Sequence, residues 1–137
     1  DGDAAVRFWA VVALRHAFPK DTELLEQIYD SMDDVDVAVR IESASWMAEA
    51  SAKHRDEAVQ VLGRELVGEE WWTVLRACRA VELLGEKAAP LIPVMETLYG
   101  RNRFVQGDGE MYIAFSAGAF LKKMGMPTEA WDFGPGK

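Results

Sequence analysis

The sequence predicts an all-α protein, an α-solenoid of about three and a half helical hairpins. Three observations predict it. Four segments align when their small residues are placed under one another. Three further segments, lying between those four, share apolar columns of their own. No stretch shows the alternation bounded by turn pairs that marks strands.

The four aligned segments are Val6–Leu14, Val39–Met47, Thr73–Val81 and Ile113–Leu121. Their third position is Phe8, Ile41, Leu75 and Phe115. Their fifth is small: Ala10, Ser43, Ala77 and Ala117. Their ninth is Leu14, Met47, Val81 and Leu121, and their twelfth is Ala17, Ala50, Leu84 and Met124. The third, ninth and twelfth positions, with small residues between them, read as roughly one helical stripe. The small residue lets a neighbouring helix come close. Gly85 and Gly125 follow the last apolar residue, where a helix takes a left-handed cap.

The partner helices read as Thr22 to Met32, Asp56 to Val67 and Ala89 to Tyr99. Leu25, Val59 and Ile92 correspond, as do Ile28, Leu62 and Met95, and Met32, Leu66 and Tyr99. Asp21 or Thr22 can cap the first, with Glu23 and Glu26 adding negative charge near its N-terminus. Pro90 fits the first turn of the third. The offset between units is 33, then 34, then 40 residues. The extra length falls on a polar, Gly-containing loop from Arg101 to Glu110. The solenoid is expected over residues 1–125, with an irregular tail or cap over 126–137.

Period alone leaves the kind of repeat open, because about 34 residues is the tetratricopeptide length and HEAT units run to about 40 or more. The tetratricopeptide Trp, Leu-Gly and Tyr spacing is missing from the partner helices. Asp-x-x-Val-Arg occurs twice, at Asp3–Arg7 and at Asp36–Arg40. There Asp caps the second helix, Val faces the core, and Arg can pair with acidic groups of the adjacent turn. That run resembles the HEAT repeat and its armadillo-like stacking. Val74 and Ala114 stand where Arg would, so the Asp–Arg ladder is expected to stop at mid-domain.

Composition narrows function. The chain has 137 residues, half hydrophobic and 28% charged, with a net charge of −8. One domain of this length buries roughly two-thirds of its unfolded surface. The acidic balance argues against nucleic acid, whose binding draws on basic groups that displace counterions. It argues equally against an anionic membrane surface. The longest apolar run, Phe8 to Leu14, is far short of the roughly 18 residues a span needs.

No catalytic, metal or cofactor constellation emerges. His16 and His54 lack a second ligand at helical spacing. The cluster Asp30, Asp33, Asp34, Asp36 lacks the central glycine of a calcium loop, and Asp108 with Glu110 is a weaker version. Cys78, the single cysteine, has no base beside it and reads as a core thiol. A bilin-lyase-like or DNA-glycosylase-like enzyme would want a thiol or acid in a groove, or a basic groove; neither is evident. The second helices carry the candidate binding face instead: Arg7, Trp9, Arg40, Trp46, Trp72, Arg76 and Arg79. Tryptophans there either anchor a partner or pack between repeats.

The runs Val6-Arg7-Phe8-Trp9-Ala10, Val39-Arg40-Ile41 with Ala44, and Leu83 to Pro90 resemble the C-terminal helical extension of certain bacterial sulfatases, over roughly residues 3 to 100. Sulfatases use a formylglycine made in a Cys/Ser-x-Pro/Ala-x-Arg motif, with a calcium held by carboxylates. Cys78-Arg79-Ala80-Val81-Glu82 does not match that motif, so no catalytic residue carries over. The resemblance implies a non-catalytic scaffold or docking appendage of a sulfuric ester hydrolase, partnered by an upstream catalytic domain and periplasmic or secreted. The competing expectation is a free-standing protein-interaction module using its concave face. The chain also opens inside an unpaired second helix. An apolar flank around Phe8 and Val12 is therefore expected, to be covered by an upstream domain or by dimerisation.

Overall fold

The computed structural model describes residues 2–105, 107 and 109–128, and every structural statement below concerns those residues. They form α1 (Ala4–Ala17), α2 (Thr22–Ile28), α3 (Val37–Ala50), α4 (Arg55–Leu66), α5 (Trp71–Leu84), α6 (Ile92–Asn102) and α7 (Glu110–Lys123). No strand occurs among them, and the protein is all-α. None of these helices is long and apolar enough to cross a membrane.

Aspartates start the first three helices. Asp3 accepts from the Ala5 backbone N–H at 2.9 Å, Asp21 from Leu24 at 3.0 Å, and Asp36 from both Ala38 and Val39. Each satisfies donors that the first helical turn leaves unpaired. Glycines end two others. Gly85 caps α5 with φ 59°, and Gly125 follows α7 with φ 74°. At the second site the Met126 N–H donates to the Leu121 carbonyl and the Gly125 N–H to that of Lys122. Those two bonds form the Schellman closure that a left-handed glycine permits.

Two partner helices differ from their sequence reading. The first is α-helical only to Ile28 and tightens into a 3₁₀ turn over Tyr29–Asp33. Its run Tyr-Asp-Ser-Met-Asp-Asp is poor in helix formers, and short polar side chains there compete for the backbone. Met32 is still buried. The third begins at Ile92 rather than Ala89. Pro90 lies in a 3₁₀ segment, Gly85–Leu91, and Pro93 fills the first turn of α6. Of the expected tail, 129–137 lies outside the described residues, whereas Met126 packs partly buried against the core.

The helices α1, α3, α5 and α7 form a row in which each packs on the next. The partners lie along it: α2 and its 3₁₀ turn on α3, α4 on both α3 and α5, and α6 on α7. The partner columns hold the core as read, with Leu25, Ile28, Leu62, Leu66 and Met95 buried. Within the row the fifth position is buried in α3, α5 and α7. So is the sixth, occupied by Ala44, Cys78 and Gly118. Small side chains at both places allow close approach.

The third position does not share that stripe. At 3.6 residues per turn it stands about 200° round the helix from the fifth. Phe115 is 39% exposed and Phe8 and Leu75 are half-buried, whereas Ile41 is buried as expected. The loop before α7 folds back on the start of α5. A Cβ added to Gly109 would stand 2.2 Å from the Trp71 ring, so only glycine fits against that indole.

Trp46 is 1% exposed and its indole N–H donates to the Pro19 carbonyl at 2.9 Å, whereas Trp9 is 64% exposed. In urea unfolding, Trp46→Ala is expected to cost about 3–5 kcal/mol and Trp9→Ala about 0.5 kcal/mol or less. Equal losses would contradict this placement of the two indoles.

Candidate functional site

Charged side chains first knit the units together. Arg7 donates from Nε and Nη2 to both carboxylate oxygens of Asp34, at 2.8 and 2.9 Å. Arg40 donates to Glu65 at 2.7 Å and to the carbonyls of Asp34 and Val35. These are the two arginines of the Asp-x-x-Val-Arg runs, and their guanidinium groups face adjacent turns rather than a ligand. The ladder ends as the sequence suggests. Val74 and Ala114, in the equivalent places, are buried, and an arginine there would bring an unpaired charge into the core.

A groove of about 650 Å³ opens across the row from α1 to α7. Its floor and wall carry Ile41, Leu75 and Phe115, the third-position residues of α3, α5 and α7. Positions four, seven and ten add Arg76, Arg79 and Arg15, with Glu42 and Glu82 beside them. Positions three, seven and ten lie at helical spacing on one face, opposite the small fifth position. Exposed Trp72, Leu83 and Tyr112 complete the apolar lining; Trp72 and Leu83 are 55% and 64% exposed.

The charges in the groove are unevenly partnered. Arg15 donates to Glu42 at 3.1 Å and to the Ser45 hydroxyl at 3.3 Å. Arg79 donates to Glu82, which also accepts from the Ser116 hydroxyl at 3.1 Å. Arg76 has no such partner among the described residues. Its guanidinium carbon lies over the Phe8 ring on α1, 5.4 Å from the centroid. A cation–π contact of this kind uses none of the guanidinium's N–H donors in a hydrogen bond.

Of the seven sequence candidates, the groove gathers Trp72, Arg76 and Arg79. It does not gather Arg7 and Arg40, which form ion pairs, or Trp46, which is core. Trp9 lies outside the lining, edge-on to Phe8 with centroids 5.1 Å apart. Sequence reasoning missed Arg15, Leu83 and Tyr112. It placed Leu75 and Phe115 with the core, although helical angle alone separates the third position from the fifth. The expected apolar flank of α1 consists of Val6, Trp9, Ala10 and Ala13, while Phe8 and Val12 are half-buried.

The remaining titratable groups hold the units in place. Glu26 on α2 accepts from His54 Nε2 at 2.8 Å and Lys53 Nζ at 3.2 Å, and these two hydrogen bonds keep its carboxyl below the ordinary range. No group of three His, Cys, Asp or Glu side chains gathers to hold a metal among the described residues. Cys78 is buried, and burial pushes its thiol up to about 12, with the Glu82 carboxylate adding to the shift. A nucleophilic thiol needs the opposite.

No family model matches the chain, and no curated protein and no solved structure matches it either.

Two outcomes follow from these environments. Native Cys78 is expected to react with iodoacetamide on the order of a thousandfold more slowly than in urea, because its thiolate is suppressed and covered. Rapid native alkylation would contradict its burial. The Arg7 guanidinium lowers the Asp34 carboxyl below its ordinary 3.8, aided by the Asp36 backbone N–H and opposed by burial. A group depressed in the folded state stabilises fully above its unfolded pKa and loses that contribution as pH falls through the folded one. The stability gap between wild type and Asp34→Asn should therefore narrow below about pH 4. A gap that stays constant into acid would show that the pair does not carry it.

Proposed function

We propose that this chain is a non-catalytic docking module, a HEAT-like α-solenoid of about three and a half hairpins, which holds a partner in the groove across α1, α3, α5 and α7. The carrying observation is the groove itself: exposed Trp72, Leu83 and Tyr112 around a floor of Leu75 and Ile41. Apolar clefts with a few placed polar groups are where proteins take ligands. Exposed aromatic and arginine side chains are the commonest anchors of protein interfaces. The solenoid reading is supported by the packing of each row helix on the next and, in the first two units, by Asp caps and arginines that reach the following turn.

The resemblance to the helical extension of bacterial sulfatases suggests the kind of parent, with a catalytic domain as one partner. The flank of α1, where Val6 is 50% and Trp9 64% exposed, is a second apolar surface on which such a domain or another copy could pack. A Cys/Ser-x-Pro/Ala-x-Arg string encoded in frame ahead of residue 1 supports that parentage, and a frame without one removes it.

The groove is tested by in-cell cross-linking with two charged variants. Leu83→Glu lies in the groove, and Val67→Glu, 71% exposed, lies outside it. Both should shift stability by no more than about 0.5 kcal/mol. Leu83→Glu should abolish a partner cross-link that Val67→Glu retains. Equal retention in both variants would mean that the groove is not the docking face.

A further inference from the structure

We propose that the groove receives an acidic, amphipathic peptide segment, whose large apolar side chains cover Leu75, Leu83 and Phe115 and whose carboxylate pairs with Arg76. This rests on the docking reading of the groove. Charge carries the choice of occupant. The groove holds three arginines and two glutamates. Arg15 neutralises Glu42, and Arg79 neutralises Glu82. The surplus is Arg76, which makes no hydrogen bond or ion pair among the described residues and lies over the Phe8 ring. The whole chain carries −8, so an anionic segment is repelled over most of the surface and attracted here. A basic segment would meet Arg76 with both glutamates already engaged.

Shape favours a peptide over a small anion. From Trp72 to Leu83 the groove follows α5 for about 16 Å, the length of roughly three helical turns. Across the row it reaches from Arg15 on α1 to Phe115 on α7. The apolar anchors lie along α5 and α7, with Arg76 between Trp72 and Leu83 in sequence. A short amphipathic helix laid along α5, with apolar side chains one turn apart and an acidic residue beside them, matches that order.

The test uses the whole chain and three dye-labelled, Trp-free peptides of equal length. They share leucines and phenylalanine at helical spacing and carry Glu, Gln or Lys at the polar positions. Fluorescence anisotropy should rank Glu tightest and Lys weakest, with Glu about tenfold tighter than Gln and losing its lead as salt is raised. Arg76→Gln should abolish the Glu-over-Gln difference, leave binding of the Gln peptide in place and keep the melting temperature. Equal binding of all three peptides, or a Glu preference that survives Arg76→Gln, overturns the acidic occupant and leaves the groove as a docking site. Failure of every peptide to bind, while Leu83→Glu still abolishes the cellular cross-link, overturns the peptide and not the groove. Peptide binding indifferent to Leu83→Glu overturns both.

Discussion

The close approach of α3, α5 and α7 governs the rest of the molecule. Ala44, Ala77, Cys78, Ala117 and Gly118 are buried where these helices pack. A larger side chain at any of these buried places would overpack the interior, at a cost of about 1–3 kcal/mol. Bulky residues of the same helices are buried beside those small ones or emerge on the opposite side. Trp46, Phe120, Met47 and Leu121 fill the core beneath the partner helices. Leu75, Phe115, Trp72 and Tyr112 emerge on the opposite side. The groove is thus a geometric consequence of tight stacking: the face that a helix does not use for its neighbour or its partner is left to solvent.

Ion pairs fix the relation of successive units without supplying much of the stability. Arg7–Asp34 and Arg15–Glu42 both join a helix of the row to the unit that follows. Both are only partly buried, and pairs of that kind contribute little net free energy. Their geometry is more informative. Two parallel hydrogen bonds from Arg7 to Asp34, with Asp34 also accepting from the Asp36 backbone, tie the end of α2's 3₁₀ turn and the start of α3 to α1. Apolar packing says that helices meet; the fork of a guanidinium says in which register.

The all-α class and the buried columns of the partner helices were readable because their signal is periodic. Leu25, Ile28, Leu62, Leu66 and Met95 recur at corresponding places in the partner helices, and capping aspartates mark helix starts at Asp3, Asp21 and Asp36. The groove was harder to read because its lining uses the same residue types as the core. Leu75 and Val81 are equally apolar, and only their angle around α5 separates wall from interior. Trp9 and Trp46 show the limit of that angle. They occupy neighbouring directions on equivalent helices, yet the chain before α3 places the Pro19 carbonyl over Trp46, and nothing described covers Trp9. Burial at that direction depends on what packs over the helix, which a single helix cannot reveal. Arg15 was missed for a different reason: it stands at the tenth position, where the four aligned segments carry Arg15, Ala48, Glu82 and Lys122 and share no residue type.

An exposed apolar groove and an underused arginine are each ordinary on a protein surface, and their coincidence is what gives the docking proposal its content. Burying a large apolar side chain is worth about 1.5–3 kcal/mol, so Trp72, Leu83 and Tyr112 forgo stabilisation while they face water. Arg76 is held off the neighbouring carboxylates in a similar way. Arg79 engages Glu82, Arg15 engages Glu42, and Phe8 supports the Arg76 guanidinium from α1. Had Arg76 paired with Glu82, the surplus positive charge would have fallen on Arg79 instead, because the groove holds one more arginine than glutamate. With Glu82 already taken by Arg79 and Ser116, the positive charge remains directed at whatever occupies the groove. Apolar area then supplies affinity without sign, and one arginine supplies the sign.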